Sequence, residues 1–301
     1  MKSQNHDRKK TIKTEHRRRQ DLFQSLAFLL MKLSVILTIL ILVLIVGDIF
    51  IKGWPAINMT FITGMPVNRM SEGGILPCIV GTIELVVLSL LFAVPLGIIA
   101  AIYLTEYAAD GKIKKAIEQA VDNLAGMPSI IFGLFGTAFF IKYVGLPMSL
   151  LTASLTMGLL VMPVIIRTAQ EALLAVPKEY KEASQALGAA KWETIRRVVL
   201  PSAYSGIVTG IIISIGRAAG ETAPILFTGA VYYYPKLPES VFSPFMALSY
   251  HLYVMATESI NIELTRPIQY GTAFVLLAIV FTMNLTAFGI RRHYKRKYGT
   301  N

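Results

Sequence analysis

Of the 301 residues, 54% are hydrophobic and only 16% charged, and the mean hydropathy is +0.58. Soluble domains carry about 25% charged residues, so this composition excludes an ordinary soluble protein and points to a membrane chain. The formal net charge of +11 would suit a nucleic-acid binder, but its distribution along the chain argues against one, and the single cysteine, Cys78, excludes an intrachain disulfide.

In chain order, residues 1–25 read as a basic tail, the first 20 polar and expected to be irregular in isolation. Its charge is taken as a topology anchor rather than as a site for nucleic acid or anionic lipid. Six apolar runs approach the roughly 20 residues needed to span a bilayer: 26–51, 76–103, 121–144, 150–166, 203–230 and 268–290. The first is too long for a secretory signal and lacks a small-residue cleavage site, so it is expected to stay as a membrane helix over 26–52. An external loop follows over 53–73, then a core over 74–290, and a second basic tail over 291–301. Six spans put both termini on one side. Most of the 29 Lys and Arg residues fall there, including Lys112, Lys114, Lys115, Lys178, Lys181, Arg196 and Arg197. By the positive-inside rule that side is cytoplasmic, in a multi-pass membrane protein. A longer external segment over 231–267 is expected to carry an amphipathic helix lying at the outer surface, which either meets a solute-binding protein or packs on its own chain.

The cytoplasmic loop 171–201 is polar yet patterned. Pro177 suits the first turn of a helix. Ala183, Ala186, Leu187 and Ala190 make one narrow face of small apolar residues, and Lys178, Glu179, Lys181, Glu182 and Gln185 make the rest polar. Gly188 permits the positive φ that ends a helix. Trp192, Ile195 and Val199 are expected to form a second apolar face before Pro201 opens the next span. Amphipathicity alone would fit a hairpin packed on its own membrane domain; spacing, position between two spans and cytoplasmic side together favour a docking surface. The pattern GxxxxGK[ST] occurs nowhere, so any ATP must be bound by a partner chain.

The fifth run carries charge. Arg217 lies about 24 Å along a helix from Pro201 at 1.5 Å per residue, and Glu221 is one turn further. The two either neutralise each other structurally, or Arg217 offers its N–H fork to an oxyanion while Glu221 holds the fork in place. Gly206, Gly210, Ser214 and Ala218 form a stripe for close helix packing, Gly216 and Gly220 a second GxxxG face, and Pro224 is placed to kink the helix. Glu84 in the second run either pairs with an arginine across an interface or sits near the outer water boundary. Arg167 ends the fourth run and is read first as an anchor, then as a pathway residue. Asp122 reads as a helix-terminus or interfacial group. His251 has no second ligand at metal spacing, so neither a metal nor a cofactor is expected, and no covalent chemistry.

The run Glu182-Ala-Ser-Gln-Ala-Leu-Gly188 followed by Val198-Val-Leu-Pro201 resembles the EAA loop of ABC importer permeases, with Ser184 for the third small residue and Val198 for an isoleucine. Arg217-Ala-Ala-Gly-Glu-Thr-Ala-Pro-Ile-Leu-Phe-Thr228, with 126–133 and 162–168, resembles the phosphate-importer permeases of the PstA type. That resemblance implies an all-α integral membrane protein of type I, MetI-like architecture with about six transmembrane helices. It implies a phosphate permease subunit rather than an enzyme, paired with a PstC-type paralogue, PstB-type ATPases, a PstS-type external phosphate-binding protein and membrane lipid. It makes Glu182, Ala183, Ser184, Gly188, Leu200 and Pro201 the ATPase-coupling positions, and Arg217, Glu221, Arg167 and Glu84 the candidate substrate pathway. A sulfate or molybdate permease is the nearest alternative, and a stand-alone secondary carrier a more distant one.

Overall fold

The computed structural model describes the backbone of residues 2–70, 72–258 and 262–298, with side chains from residue 23 onward except 69, 262, 264 and 293–298. The chain divides into two units, residues 1–51 and 52–301. The first belongs to a single helix, α1 (Lys2–Gly53). Leu30, Leu37 and Leu44 are exposed on it, as are the apolar residues all round its middle. A helix satisfies its own backbone, so hydrocarbon can take every face. The tail expected to be irregular instead continues this helix from Lys2; its basic side chains, and those of Lys295, Arg296 and Lys297, lie outside the described residues.

The second unit holds α2 (Leu76–Ile102), α3 (Lys112–Gly126), α4 (Ser129–Gly136), α5 (Leu150–Leu174), α6 (Lys178–Ala186), α7 (Lys191–Thr194), α8 (Leu200–Gly220), α9 (Leu248–Thr257) and α10 (Ile262–Tyr298). Turns of π-helix extend three of them: Tyr103–Tyr107 after α2, Thr137–Tyr143 after α4, and Ile195–Val199 between α7 and α8. Among the described residues, five helices are long and apolar enough to cross a membrane, and a bent pair raises the number to six. Helix α5 is the hub: α2 packs along it, α8 on both, and α10 on α8. Met157, Val161 and Ile165 of α5 meet Leu85 and Ala93 of α2 and Ile215 and Ala218 of α8 in the main core. The small-residue stripe of α8 makes this contact possible. A Cβ on Gly206 would meet Ala172, and one on Gly210 would collide with Thr168, while Ser214 and Ala218 are fully buried.

Several expectations need correction. The third run is not one straight span: α3 and α4 meet at 104°. Pro128 pushes Met127 out of the helical region to ψ 141°, as proline does to its predecessor, so α3 stops at Gly126 and a new helix starts at Ser129. The fourth helix runs on to Leu174, which puts Arg167 inside it. The fifth span starts earlier and ends earlier than expected, over Lys191–Gly220. Glu221 is extended at ψ 138°, so the helix breaks before Pro224 rather than kinking at it, and Pro224 sits in a separate short turn, Ala223–Leu226. A Cβ on Gly216 would stand 3.9 Å from Asn284 and Val280 of α10 and one on Gly220 would meet nothing, so among the described residues this GxxxG face carries no close helix contact. Finally, the external segment does carry a helix, α9, packed on its own chain, and only part of the segment lies at the surface: residues 235–237 and 239–242 are exposed. Residues 241–247 are mostly irregular, but Phe245, Met246 and Leu248 are fully buried, and Leu248 N–H donates to Thr82 Oγ1 at 2.9 Å. Helix α9 packs against α10 and α2.

Candidate functional site: a coupling surface and a charged helix end

Helix α6 has the cap the sequence suggests. Gly188 has φ +87°, its N–H donates to Gln185 O at 2.9 Å, and Ala189 N–H reaches back to Ser184 O at 3.2 Å. These two bonds are a Schellman motif, which needs a residue tolerant of positive φ.

The orientation of α6 separates the two readings of the loop. No residue of α6 is buried. Its small apolar face points away from the protein: Ala183, Ala186 and Ala190 are exposed and Leu187 is 90% exposed. Two polar residues, Lys181 and Ser184, face inward, while Lys178, Glu179, Glu182 and Gln185 are exposed like the alanines. Lys181 forms an ion pair with Glu106 at 2.5 Å, and Ser184 Oγ lies 3.0 Å from Thr194 Oγ1. A hairpin folded for its own stability would bury the alanines and expose the lysine. Here the arrangement is reversed, and Glu182 and Gly188 are exposed beside the apolar face. The second apolar face is only partly as expected. Ile195 and Val199 are fully buried among Ala101, Ala169 and Leu173, but Trp192 is exposed. Leu200 and Pro201 line a cavity of about 880 Å³ together with Ile98, Val176, Tyr180 and Ile207.

The second feature is the end of α8. Arg217 Nε lies 3.5 Å from Glu221 Oε1, and both side chains are about a quarter exposed. Arg217 occupies the last helical turn, where a cation suits the negative end of the helix dipole. Ser249 Oγ of α9 donates to Glu221 O at 3.0 Å and fixes the extended residue after the helix. The turn that follows is clasped by α4: Gly133 lies against Ala223 and Pro224, where a Cβ would stand 3.0 Å from each, and Thr137 Oγ1 donates to Phe227 O at 2.9 Å. Runs 126–133 and 217–228 therefore meet in space.

Arg167 is placed elsewhere. Its Nε and Nη2 each lie 2.6 Å from Asp122, Nη1 donates to Gln170 at 3.1 Å and Nη2 to Glu118 O at 2.8 Å. Such a saturated fork braces α5 against α3 and leaves little to offer an anion. Asp122 is thus the partner of Arg167. Glu84 is half-buried, and its Oε2 is buried with no hydrogen-bond partner among the described residues. His251 is buried with both ring nitrogens unpartnered, and burial pushes its imidazole down to about 4. Sequence reasoning missed Glu106, Thr194 and Ser249. Nothing in the sequence signals Glu106, 75 residues from its partner; the Asp122–Arg167 pair was not read from the sequence either, though both were noted near the ends of neighbouring runs.

A family model described as "Binding-protein-dependent transport system inner membrane component" matches residues 93–300. The phosphate transport system permease protein PstA 1 of Mycobacterium tuberculosis H37Rv is 36% identical over 264 residues, 86% of this chain and 84% of that protein. A probable phosphate transport system permease protein PstA of Methanocaldococcus jannaschii is also 36% identical, over 81% of this chain and 85% of its own length. Among solved structures, a bacterial ABC transporter that imports alginate matches over 92% of this chain and 99% of its own with a TM-score of 0.63 at 18% identity. The inward-facing MetNI methionine ABC transporter matches over 72% and 95% with a TM-score of 0.58 at 20% identity. These two likenesses establish the fold.

Proposed function

The chain belongs to the family of inner membrane components of binding-protein-dependent transport systems, and on that premise we propose that it is the permease subunit forming half of the translocation pathway of an ATP-driven inorganic phosphate importer. The observation that carries this reading is the outward-facing apolar side of α6 with Leu187 at its edge. A short helix with small residues on its free face fits a cleft on a soluble motor, and the chain has no nucleotide-binding loop of its own. Glu182, Ala183 and Gly188 present that surface; Ser184, Leu200 and Pro201 fix it to the membrane helices. PstB-type ATPases would grip it, a PstC-type paralogue would complete the pathway and a PstS-type protein would deliver the anion outside. Both termini then lie in the cytoplasm.

The phosphate assignment rests on the names of the relatives at 36% identity and on Arg217. Its ion pair with Glu221 uses Nε at 3.5 Å, which leaves the terminal N–H groups to meet an oxyanion, while Glu221 keeps that contact weak enough for release. Glu84, half-buried with one carboxylate oxygen buried and unpartnered among the described residues, stays a candidate of this pathway. Arg167 acts as a brace in this account. In vesicles holding the whole complex, Arg217→Gln should lower ATP-driven phosphate import about tenfold, equivalent to ~1.4 kcal/mol of lost anion contact, with assembly intact. Unchanged import would reduce Arg217 to a structural partner of Glu221. Competition with unlabelled sulfate and molybdate separates the oxyanions: strong inhibition by either, and none by phosphate, would favour the alternative substrate.

A further inference from the structure

The loop between α5 and α8 is joined covalently to those two helices only, yet the structure ties it to a third. Lys181 of α6 reaches Glu106, in the π turn that ends α2, at 2.5 Å; the pair is well shielded, with the Glu106 side chain 10% and the Lys181 side chain 22% exposed. One residue on, Tyr107 carries the ammonium of Lys191 4.8 Å from its ring centroid. Two contacts from opposite sides of Gly188 thus converge on adjacent residues at the end of α2. Beneath them, Ala101 and Ile102 of α2 pack with Leu173 of α5, with Val176 just after it, and with Ile195 and Val199 before α8. Helix α6 packs on the wide turn Ile195–Val199 and reaches the wide turn Tyr103–Tyr107 through Lys181, and π turns are rare and concentrate at functional sites.

We propose that the Lys181–Glu106 ion pair is a positioning device that makes α2 move with the coupling helix, so that the motor's stroke reaches α2, α5 and α8 together rather than only the two helices continuous with the loop. This rests on the coupling role given to α6 above. A shielded pair of opposite charges transmits displacement in both directions, because separating it leaves a poorly solvated charge behind. Neither residue faces the proposed motor or the charged end of α8, so the pair acts through α6 and α2 alone.

The test uses the assembled complex in vesicles, with inorganic phosphate import and ATP hydrolysis measured side by side. Glu106→Gln should leave hydrolysis within about twofold of the parent and lower import at least fivefold, raising the ATP spent per phosphate. The charge reversal Glu106→Lys with Lys181→Glu should recover most of that ratio. A second readout does not depend on the transported anion: spin labels at Ala109 and Lys178, both exposed, in a Cys78→Ala background. Their separation should stay constant between nucleotide-free and ATP–vanadate states in the parent and should change with nucleotide in Glu106→Gln. The inference is overturned if import per ATP is unchanged in Glu106→Gln, if import and hydrolysis fall together without recovery in the reversal, or if the labels behave alike in both proteins. A parent complex that hydrolyses ATP but imports no phosphate would defeat the substrate assignment instead, leaving the label separation to decide the tether.

Discussion

Side-chain direction within α6 decides between a hairpin and a docking element. Lys181 and Ser184 turn inward to Glu106 and Thr194, while Ala183 and Leu187 are left to solvent. Exposed Leu187 contributes nothing to its own fold, so Leu187→Asp should leave expression and membrane insertion unchanged while lowering recovery of the ATPase in co-purification severalfold. Loss of the permease itself would show that Leu187 is a core residue. Gly188 combines open space with φ +87°, so a side chain there meets strain rather than collision. Gly188→Ala should cost about 1 kcal/mol of local stability, whereas Gly188→Trp, which also fills the docking face, should abolish ATP-driven import in a complex still inserted in the membrane. Gly210 is the opposite case: no room exists beside Thr168, and Gly210→Val should pry α8 from α5 and lower thermal stability in detergent by several degrees, the shift expected of a few kcal/mol of overpacking.

Among the elements, those that ignore the sequence pattern are the ones shaped by tertiary contact. Hydropathy located the spans because apolar length is a local property, and it reached Gly188 and the α8 stripe because turn chemistry and small-residue spacing are local too. It read 121–144 as one span and did not locate the bend at Pro128, since apolarity on both sides of Met127 outweighed the known effect of proline on its predecessor. It left open whether the helix of 231–267 meets a partner or packs on its own chain, because burial of Phe245 and Met246 against α2 is set by residues about 160 positions away, which no window sees. Arg217 and Glu221 were legible as a pair from their spacing, but the helix end between them was not, because Gly220 is equally at home inside a packed membrane helix.

The buried α9 makes a prediction about acid. His251 titrates near 6.5 when unfolded and at about 4 in the folded segment, because burial disfavours its charged form. The unfolded state therefore binds the extra proton first as pH falls, so stability is full above about 6.5 and is lost progressively toward 4. By pH 5 the loss approaches ~2 kcal/mol at 1.36 kcal/mol per pH unit. Amide exchange over 248–257 should be faster at pH 5 than at pH 7.5 after correction for intrinsic rates, and His251→Leu should remove the difference. Equal protection at both values would mean that the imidazole is hydrated.

For the whole molecule, one core joins two specialised ends. The α5 hub holds α2 and α8; at one end of this bundle the polar loop is lashed down through Glu106, Thr194 and the Ile195–Val199 turn, and at the other end of α8 Arg217 and Glu221 are framed by α4 and α9. The continuous helical run of α7, the Ile195–Val199 turn and α8, Lys191–Gly220, about 45 Å at 1.5 Å per residue, links the two ends, so a push on the loop is felt at the charged helix end. The most direct measurement is site-specific photocrosslinking from position 187 in the membrane-embedded complex. A nucleotide-binding subunit should be captured there, with yield changing between nucleotide-free and ATP-bound states. Crosslinks confined to this chain, or to a protein outside the membrane, would contradict the assignment of α6 as the place where the motor takes hold.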